Sequence, residues 1–426
     1  MPAARLAAAL LIALAGMAPE AMPARKPPKP VGNPVAPGIF RLEGTSANLP
    51  LADLEPLRQI VGPASFVGLG ESIHTSGGYY RMKHRAFRYL VERLGFRAFA
   101  FESPWDRADQ VAAYVASCGG APEEALRGLF GVWQSAEVRD LVAWMCAWNR
   151  AHPKPRDKVH FFGFDIQQPD RDGPALLAFL ARIGVPSSDP RVAGVKRCDG
   201  IDEGIDTLPV PHGDHQACVQ ALAAVGALFS REEGAIVRAT SRADLAWARL
   251  RLVGLQAWED LAYYMDDDFP RGFAARDAGM AYALRAIRDL RHPGARTAVW
   301  AHNVHLAKNS REGYRYESMG TYLDRALGPA YAVIGLVSLE TWIDWGLSGC
   351  GRVDGFSTSS VEALLSGFGH DHLLVDLDFP GGKPPFLQPG KRYLLTETRV
   401  VPARHYDALL YLETSPKMTP LAWPPC

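Results

Sequence analysis

Six ionisable residues stand where a strongly apolar segment gives way to a turn. Glu71 and His74 follow "FVGL", Glu102 follows "RAFAF", Asp165 ends "FFGFD", and His302 and His305 lie in "VWAHNVHL". Carboxylates beside imidazoles suit two chemistries. In one, a histidine takes a proton from water, a carboxylate fixes its tautomer, and neighbouring donors stabilise the oxyanion. In the other, Glu71, His74, Glu102, His302 and His305 hold a metal that activates the water. The HNxH of the last segment follows a strand and is not the helical HExxH pattern of zinc peptidases. A covalent serine mechanism would call for G-x-S-x-G, which the sequence does not contain; Ser72 in "GLGESIH" lacks the closing glycine. A P-loop and G-x-G-x-x-G are also absent.

Each residue has a plainer reading. A histidine after a strand is commonly a hydrogen-bonded structural group, and Glu102 can cap a helix. Asp165 is read as the cap of the helix that follows it. Lys83 lies on the apolar stripe of a helix with Phe87, Leu90, Val91 and Leu94, where a lysine is unusual unless it is paired or snorkels. Arg276 and Asp277 fall on the stripe marked by Phe273, Met280, Leu284 and Ile287, and read as a buried ion pair.

What singles these residues out is the elements that carry them. Apolar runs bounded by turn signals recur as "SFVGLGE", "RAFAFES", "VHFFGFD", "RTAVWAHN" and "YAVIGLVS". Amphipathic helical patterns lie between them, Gly95 closing the first. Strands alternating with helices predict an α/β fold with a mostly parallel central sheet flanked by helices. In such a sheet all carboxyl ends share one edge, and ligands bind in the crevice there. The six residues are therefore expected to converge. Residues 173–291 read as an inserted helical subdomain between the third and fourth strands, with one polar loop, "RCDGIDEGIDTLPVPHGDHQAC". After Gly349 the pattern weakens into short strands such as "HLLVDL", "RYLLTET" and "ALLYLE".

Bulk properties narrow the class. The 426 residues are 48% hydrophobic, enough for a large core. Lys+Arg and Asp+Glu are both 46, so no basic face for nucleic acid is expected. Residues 1–24, with Arg5 before the apolar run Leu6–Ala15, read as a secretory signal peptide. Residues 25–40 read as a Pro-rich tether, leaving 41–426 as the folded part, with no later apolar run of about 18 residues to span a membrane. An exported chain, periplasmic or extracellular, makes disulfides the natural reading of the six cysteines. Sequence neighbours such as Cys198 and Cys218 are the preferred pair.

The sequence resembles the erythromycin esterase family. The segments are "GLGESIHTSGGYYRMKHRAFRYLVERLGF", "FAFES", "VWQSAEVRDLVAWMCAWN", "FFGFDIQ", "RDAGM" and "WAHNVHLAK", in the family's order between about Val67 and Leu323. The resemblance implies water-mediated opening of a macrolide's lactone or another ester, without a covalent serine intermediate. It implies His74 as general base, Glu71 and Glu102 as the carboxylates that orient it and the water, and His302 and His305 as polarising or proton-donating groups. Lys83 and Arg276 stand as substrate-binding residues. No cofactor and no metal enter this reading, and the expected partner is a small-molecule ester or lactone. "HTSGG" departs from the "HG" common in the family. The competing readings are a metal-dependent hydrolase acting on an envelope or polysaccharide ester, and a binding protein without catalysis.

Overall fold

The computed structural model describes residues 33–198 and 215–425, apart from 345, 347–348, 354–356, 381, 383, 385–386, 389 and 397. The signal peptide read at 1–24, the start of the tether and most of the polar loop lie outside the described residues.

Ten strands form one sheet. They are β1 (Asn33–Ala36), β2 (Ile39–Arg41), β3 (Phe66–Leu69), β4 (Ala98–Pro104), β5 (His160–Asp165), β6 (Thr297–Trp300), β7 (Tyr331–Asp344), β8 (Cys350–Val353), β9 (His372–Asp376) and β12 (Ala408–Ser415). A separate hairpin pairs β10 (Tyr393–Leu395) with β11 (Thr398–Val400). The main order is β1-β2-β9-β12-β7-β3-β6-β4-β5, with β8 beside β7. From β12 to β5 every neighbouring pair is parallel. The β1, β2, β9 and β8 pairings are antiparallel. The fold is thus a mostly parallel α/β sheet flanked by helices.

Strand side chains alternate between two cores, as the pleat requires. On β4, Phe99 and Phe101 join one core with Trp300 of β6, while Ala98 and Ala100 join the other with Val299. The helix Gly77–Leu94 buries Phe87, Leu90 and Val91 in the first core, and Gly95, at φ 73°, ends it in the left-handed cap. The long helix Phe269–Arg291 covers the second with Met280, Leu284 and Ile287. Between β5 and β6 the helices Asp172–Arg182, His215–Arg231 and Arg242–Tyr264 build a third core from residues such as Leu176, Leu222, Phe229 and Leu252. Disulfides join Cys118 to Cys146 and Cys198 to Cys218, the second being the pair preferred from sequence.

Two terminal segments depart from the sequence reading or extend it. The end of the supposed tether is ordered sheet: Ile39 and Phe40 are buried, and β2 pairs with β9. Two apolar side chains and an open strand edge outweigh the local prolines. At the other end, residues after β12 lace onto the turn that follows His74. Met418 N donates to Thr75 O at 2.8 Å, and Ser76 bridges to Lys417. Thr419 N reaches Glu137 Oε2 at 3.1 Å.

Candidate active site

The register of the sheet explains why distant residues meet. Leu69 pairs with Trp300, Trp300 with Phe101, and Phe101 with Gly163, so these four form a row across β3, β6, β4 and β5. Glu102 lies one residue beyond the row; Glu71, His302 and Asp165 lie two beyond it. Gly70 lets the turns close, because a Cβ there would stand 2.0 Å from Asn303 Oδ1.

Glu71 is fully buried and holds two partners. Its Oε1 accepts from His74 Nδ1 at 2.7 Å and its Oε2 from Lys83 Nζ at 2.8 Å. The His74 bond puts the neutral ring's lone pair on Nε2. Lys83 is fully buried, with Nζ 4.2 Å from the centre of the Trp300 ring. Burial lowers its amine to about 8, with Glu71 opposing the shift.

A second charged group faces the first. Arg276 is nearly enclosed: Nε and Nη2 grip Asp165 at 3.2 and 2.6 Å, and Nη2 also donates to Glu102 Oε1 at 2.8 Å. Burial alone would raise the Glu102 carboxyl, but His305 and Arg276 outweigh it and hold the group far below the usual carboxylate range. His305 Nδ1 lies 2.5 Å from Asp277 Oδ1. Its Nε2 lies 3.0 Å from Arg276 Nη1 and 3.3 Å from Glu102 Oε1. A neutral ring can accept from the arginine; a protonated one can donate to the glutamate. Burial disfavours the charged ring, yet Asp277 and Glu102 overcome it and raise His305. Asp277 is raised too, burial being the largest cause.

His302 is held differently. Its Nε2–H donates to Ser72 O at 2.8 Å and its Nδ1 accepts from Val304 N at 3.3 Å. Its own backbone N–H donates to Glu102 Oε2 at 2.9 Å. Burial pushes its imidazole down to about 3, helped by His74 and His305, so it is neutral at ordinary pH. The ring lies between the other two histidines, with centroids 5.3 Å from His74 and 6.5 Å from His305.

These groups border a cavity of about 860 Å³. His74, Glu102, Arg276, His302 and His305 are on its wall; Trp133, Phe130, Leu129 and Phe273 supply apolar surface, and Gln167 and Gln168 polar surface. Glu71 and Lys83 stand behind the wall. Lys83 therefore does not meet the cavity as a substrate-binding residue would; it backs Glu71. Arg276 does reach the cavity, but most of its donors are committed to protein acceptors.

Two expectations are corrected. Asp165 does not cap a helix: it neutralises Arg276, and the next helix begins only at Asp172. Arg276 and Asp277 are not hydrogen-bonded to each other, for successive helix positions point to different neighbours; one grips Asp165 and Glu102, the other His305. Asp165 was expected at the shared strand ends but only as a helix cap, and Asp277 only as the partner of Arg276; neither was assigned a role in the site. The strand-end position pointed to Asp165, but not to Arg276 as its partner. Nothing in spacing ties Asp277 to His305. Among the described residues no three His, Cys, Asp or Glu side chains are grouped as a metal site. The arrangement offers two imidazole–carboxylate pairs facing one cavity across a neutral imidazole, which suits proton transfer to and from a bound molecule.

Comparison with known proteins gives consistent results. The sequence pattern of the family described as "Erythromycin esterase" matches residues 91–415. The chain is 24% identical over 359 residues to "Erythromycin esterase type II" of Escherichia coli, covering 74% of this chain and 81% of that protein. Among solved structures, a Bacillus cereus protein superposes with TM-score 0.73 at 22% identity, covering 90% of this chain and 96% of that one. An erythromycin esterase mutant "in its open conformation" superposes with TM-score 0.72 at 19% identity, covering 88% and 96%.

Proposed function

The chain belongs to the erythromycin esterase family, and from that premise we propose that it is an exported carboxylic-ester hydrolase that opens an ester or lactone with water activated by His74. The observation that carries this reading is the 2.7 Å bond from His74 Nδ1 to buried Glu71 at the cavity wall. It directs the basic lone pair to Nε2, and the carboxylate favours the imidazolium that forms when Nε2 takes the water's proton.

The water oxygen attacks the ester carbonyl directly. The fixed charge of Arg276 lies beside the negative charge that develops on the carbonyl oxygen. As the carbon–oxygen bond breaks, His305 Nε2–H gives its proton to the leaving alkoxide, and Asp277 holds the ring in place. His302, neutral and bonded at both ring nitrogens, spaces the two working histidines. Ser72 Oγ bonds Tyr79 Oη at 2.7 Å, and no hydrogen bond joins it to a histidine among the described residues, which supports a mechanism without an acyl-serine. The cavity has the size of a pocket for a drug-sized ligand and is partly apolar, which suits a lactone or a hydrophobic ester. Export is supported by the leader read at residues 1–24 and by the disulfides Cys118–Cys146 and Cys198–Cys218.

The test is a panel of esters and lactones, erythromycin among them, followed by the mass gain of one water. His74→Ala is expected to lose about 10²–10⁴ in kcat with circular dichroism unchanged, while Ser72→Ala keeps most of the turnover. An acyl adduct on Ser72 would overturn the direct attack. Activity lost to a chelator and restored by a divalent ion would replace His74 by a metal.

A further inference from the structure

Ile73 and His302 border not only the main cavity but also a smaller one of about 250 Å³. We propose that this second chamber is a binding site for the uncharged, hydroxyl-bearing alcohol arm of the substrate, whose ester group lies in the main cavity. The proposal rests on the ester-hydrolase reading and adds to it which part of the substrate goes where.

Size is the first argument. Pockets for whole small ligands run from about 300 to 1,000 Å³. The main cavity is within that range and the chamber is below it, so the chamber suits part of a molecule. It begins at the same two turns that carry the catalytic groups, with Ser72 and Ile73 beside His74 and Asn303 beside His302.

Its chemistry is the second argument. Among the described residues that line it, none is Asp, Glu, Lys or Arg. Besides His302 and Asn303, its polar lining consists of the hydroxyl residues Ser72, Tyr314, Thr341, Thr396 and Thr398. Ser72 Oγ, Tyr79 Oη, Ser338 Oγ and Thr341 Oγ1 are bonded in series, and the two ends of this chain, Ser72 and Thr341, both line the chamber. Hydroxyls rotate and exchange donor and acceptor roles, so such a chain can meet a ligand hydroxyl in either sense. The acid product of hydrolysis carries a negative charge that no cation among the described lining residues matches, whereas the alcohol product is neutral. The alcohol arm is therefore the one assigned here.

The wall is also built with some care. Thr396, at φ 54°, adopts the left-handed conformation that threonine rarely takes. It is held by fully buried Glu362, whose Oε1 accepts from Thr396 N at 2.5 Å and from its Oγ1 at 3.2 Å. Backbone strain of this kind persists where the surroundings over-determine it, and it concentrates at ligand sites.

Two variants fill the chamber from outside the catalytic machinery, Thr398→Trp and Val353→Phe. Each is assayed on ethyl butyrate, which leaves the chamber empty, and on 2-hydroxycyclohexyl butyrate, whose alcohol arm fits it. The expected result is a KM for the second ester raised by about tenfold or more, with kcat/KM for ethyl butyrate within about twofold of the parent. Equal loss on both esters, or no loss on either, in both variants would overturn the proposal. A second readout does not depend on turnover. Calorimetric binding of trans-cyclohexane-1,2-diol to full-length His74→Ala protein should be present, and should disappear when Val353→Phe is added. Binding that survives the filled chamber, or no binding at all, counts against the chamber. If the parent cleaves no ester, the hydrolase reading fails, and the diol result still decides the chamber.

Discussion

Lys83 is a charge that burial works against and Glu71 retains. Its amine sits at about 8 against an ordinary 10.5, so above about pH 8 it is neutral in the folded protein. Below 8 the folded and unfolded chains both hold this proton, and the group adds no slope to stability. Between about 8 and 10.5 only the unfolded chain holds it, so its contribution makes stability rise with pH. The same titration should register in catalysis. Once Lys83 is neutral, Glu71 turns its full charge on His74, and kcat/KM should climb through about pH 8. In Lys83→Arg that inflection should vanish, because a guanidinium does not titrate there. A rise retained in Lys83→Arg would separate Lys83 from the base. At this scale the sequence was partly legible. Residues just past strands, such as Glu71 and His302, announce themselves by replacing a harmless turn, whereas Glu102 proves to lie within β4, two residues before its end. Lys83 was legible as an anomaly on an apolar stripe, but not as a backing group, since whether a buried lysine faces a ligand or a carboxylate depends on a turn twelve residues away. Asp277 was legible as buried, not as the partner of His305, because that contact spans two elements.

Elements supply the precision that the residues need. The turns after β3 and β6 touch at Gly70 and Asn303, whose side chain also bonds Leu336 O and N on β7 at 2.8 and 3.2 Å. Gly70→Ala would push Asn303 away and carry His302 with it. We expect about 1–3 kcal/mol of destabilisation, read as a lower denaturant midpoint, together with a fall in kcat larger than the change in KM. A variant that keeps its midpoint and its kcat would show that this contact yields without consequence. The central strands β3 to β7 were readable because each is buried on both faces and so reads as an unbroken apolar run. The hairpin at residues 33–41 was not. Its strands are short, and Ile39 is buried only because β9, more than 300 residues later, supplies the neighbouring edge. No local pattern carries that information.

For the molecule as a whole, the disulfides fasten its periphery. Cys118–Cys146 joins the end of the helix Asp109–Ser117 to the helix Ala136–Ala151, and Cys198–Cys218 closes a loop within the helical insert. Exported protein should begin near residue 25 and gain mass on reduction and alkylation. Removing Cys118–Cys146 by paired serine substitutions should cost about 2–5 kcal/mol, measured by denaturant unfolding against the oxidised parent. A chain that stays inside the cell, retains residues 1–24 and has all its thiols free would refute the exported reading. The last strand in chain order, β12, fills an interior slot between β7 and β9, and the residues just after it tie down the turn that follows His74. While the polypeptide is being made, the groups near its start are therefore present without the neighbours that hold them. A chain cut short before β12 would lack the strand between β7 and β9 and the backbone partners of Thr75 and Ser76, and is expected to lose the proposed hydrolysis.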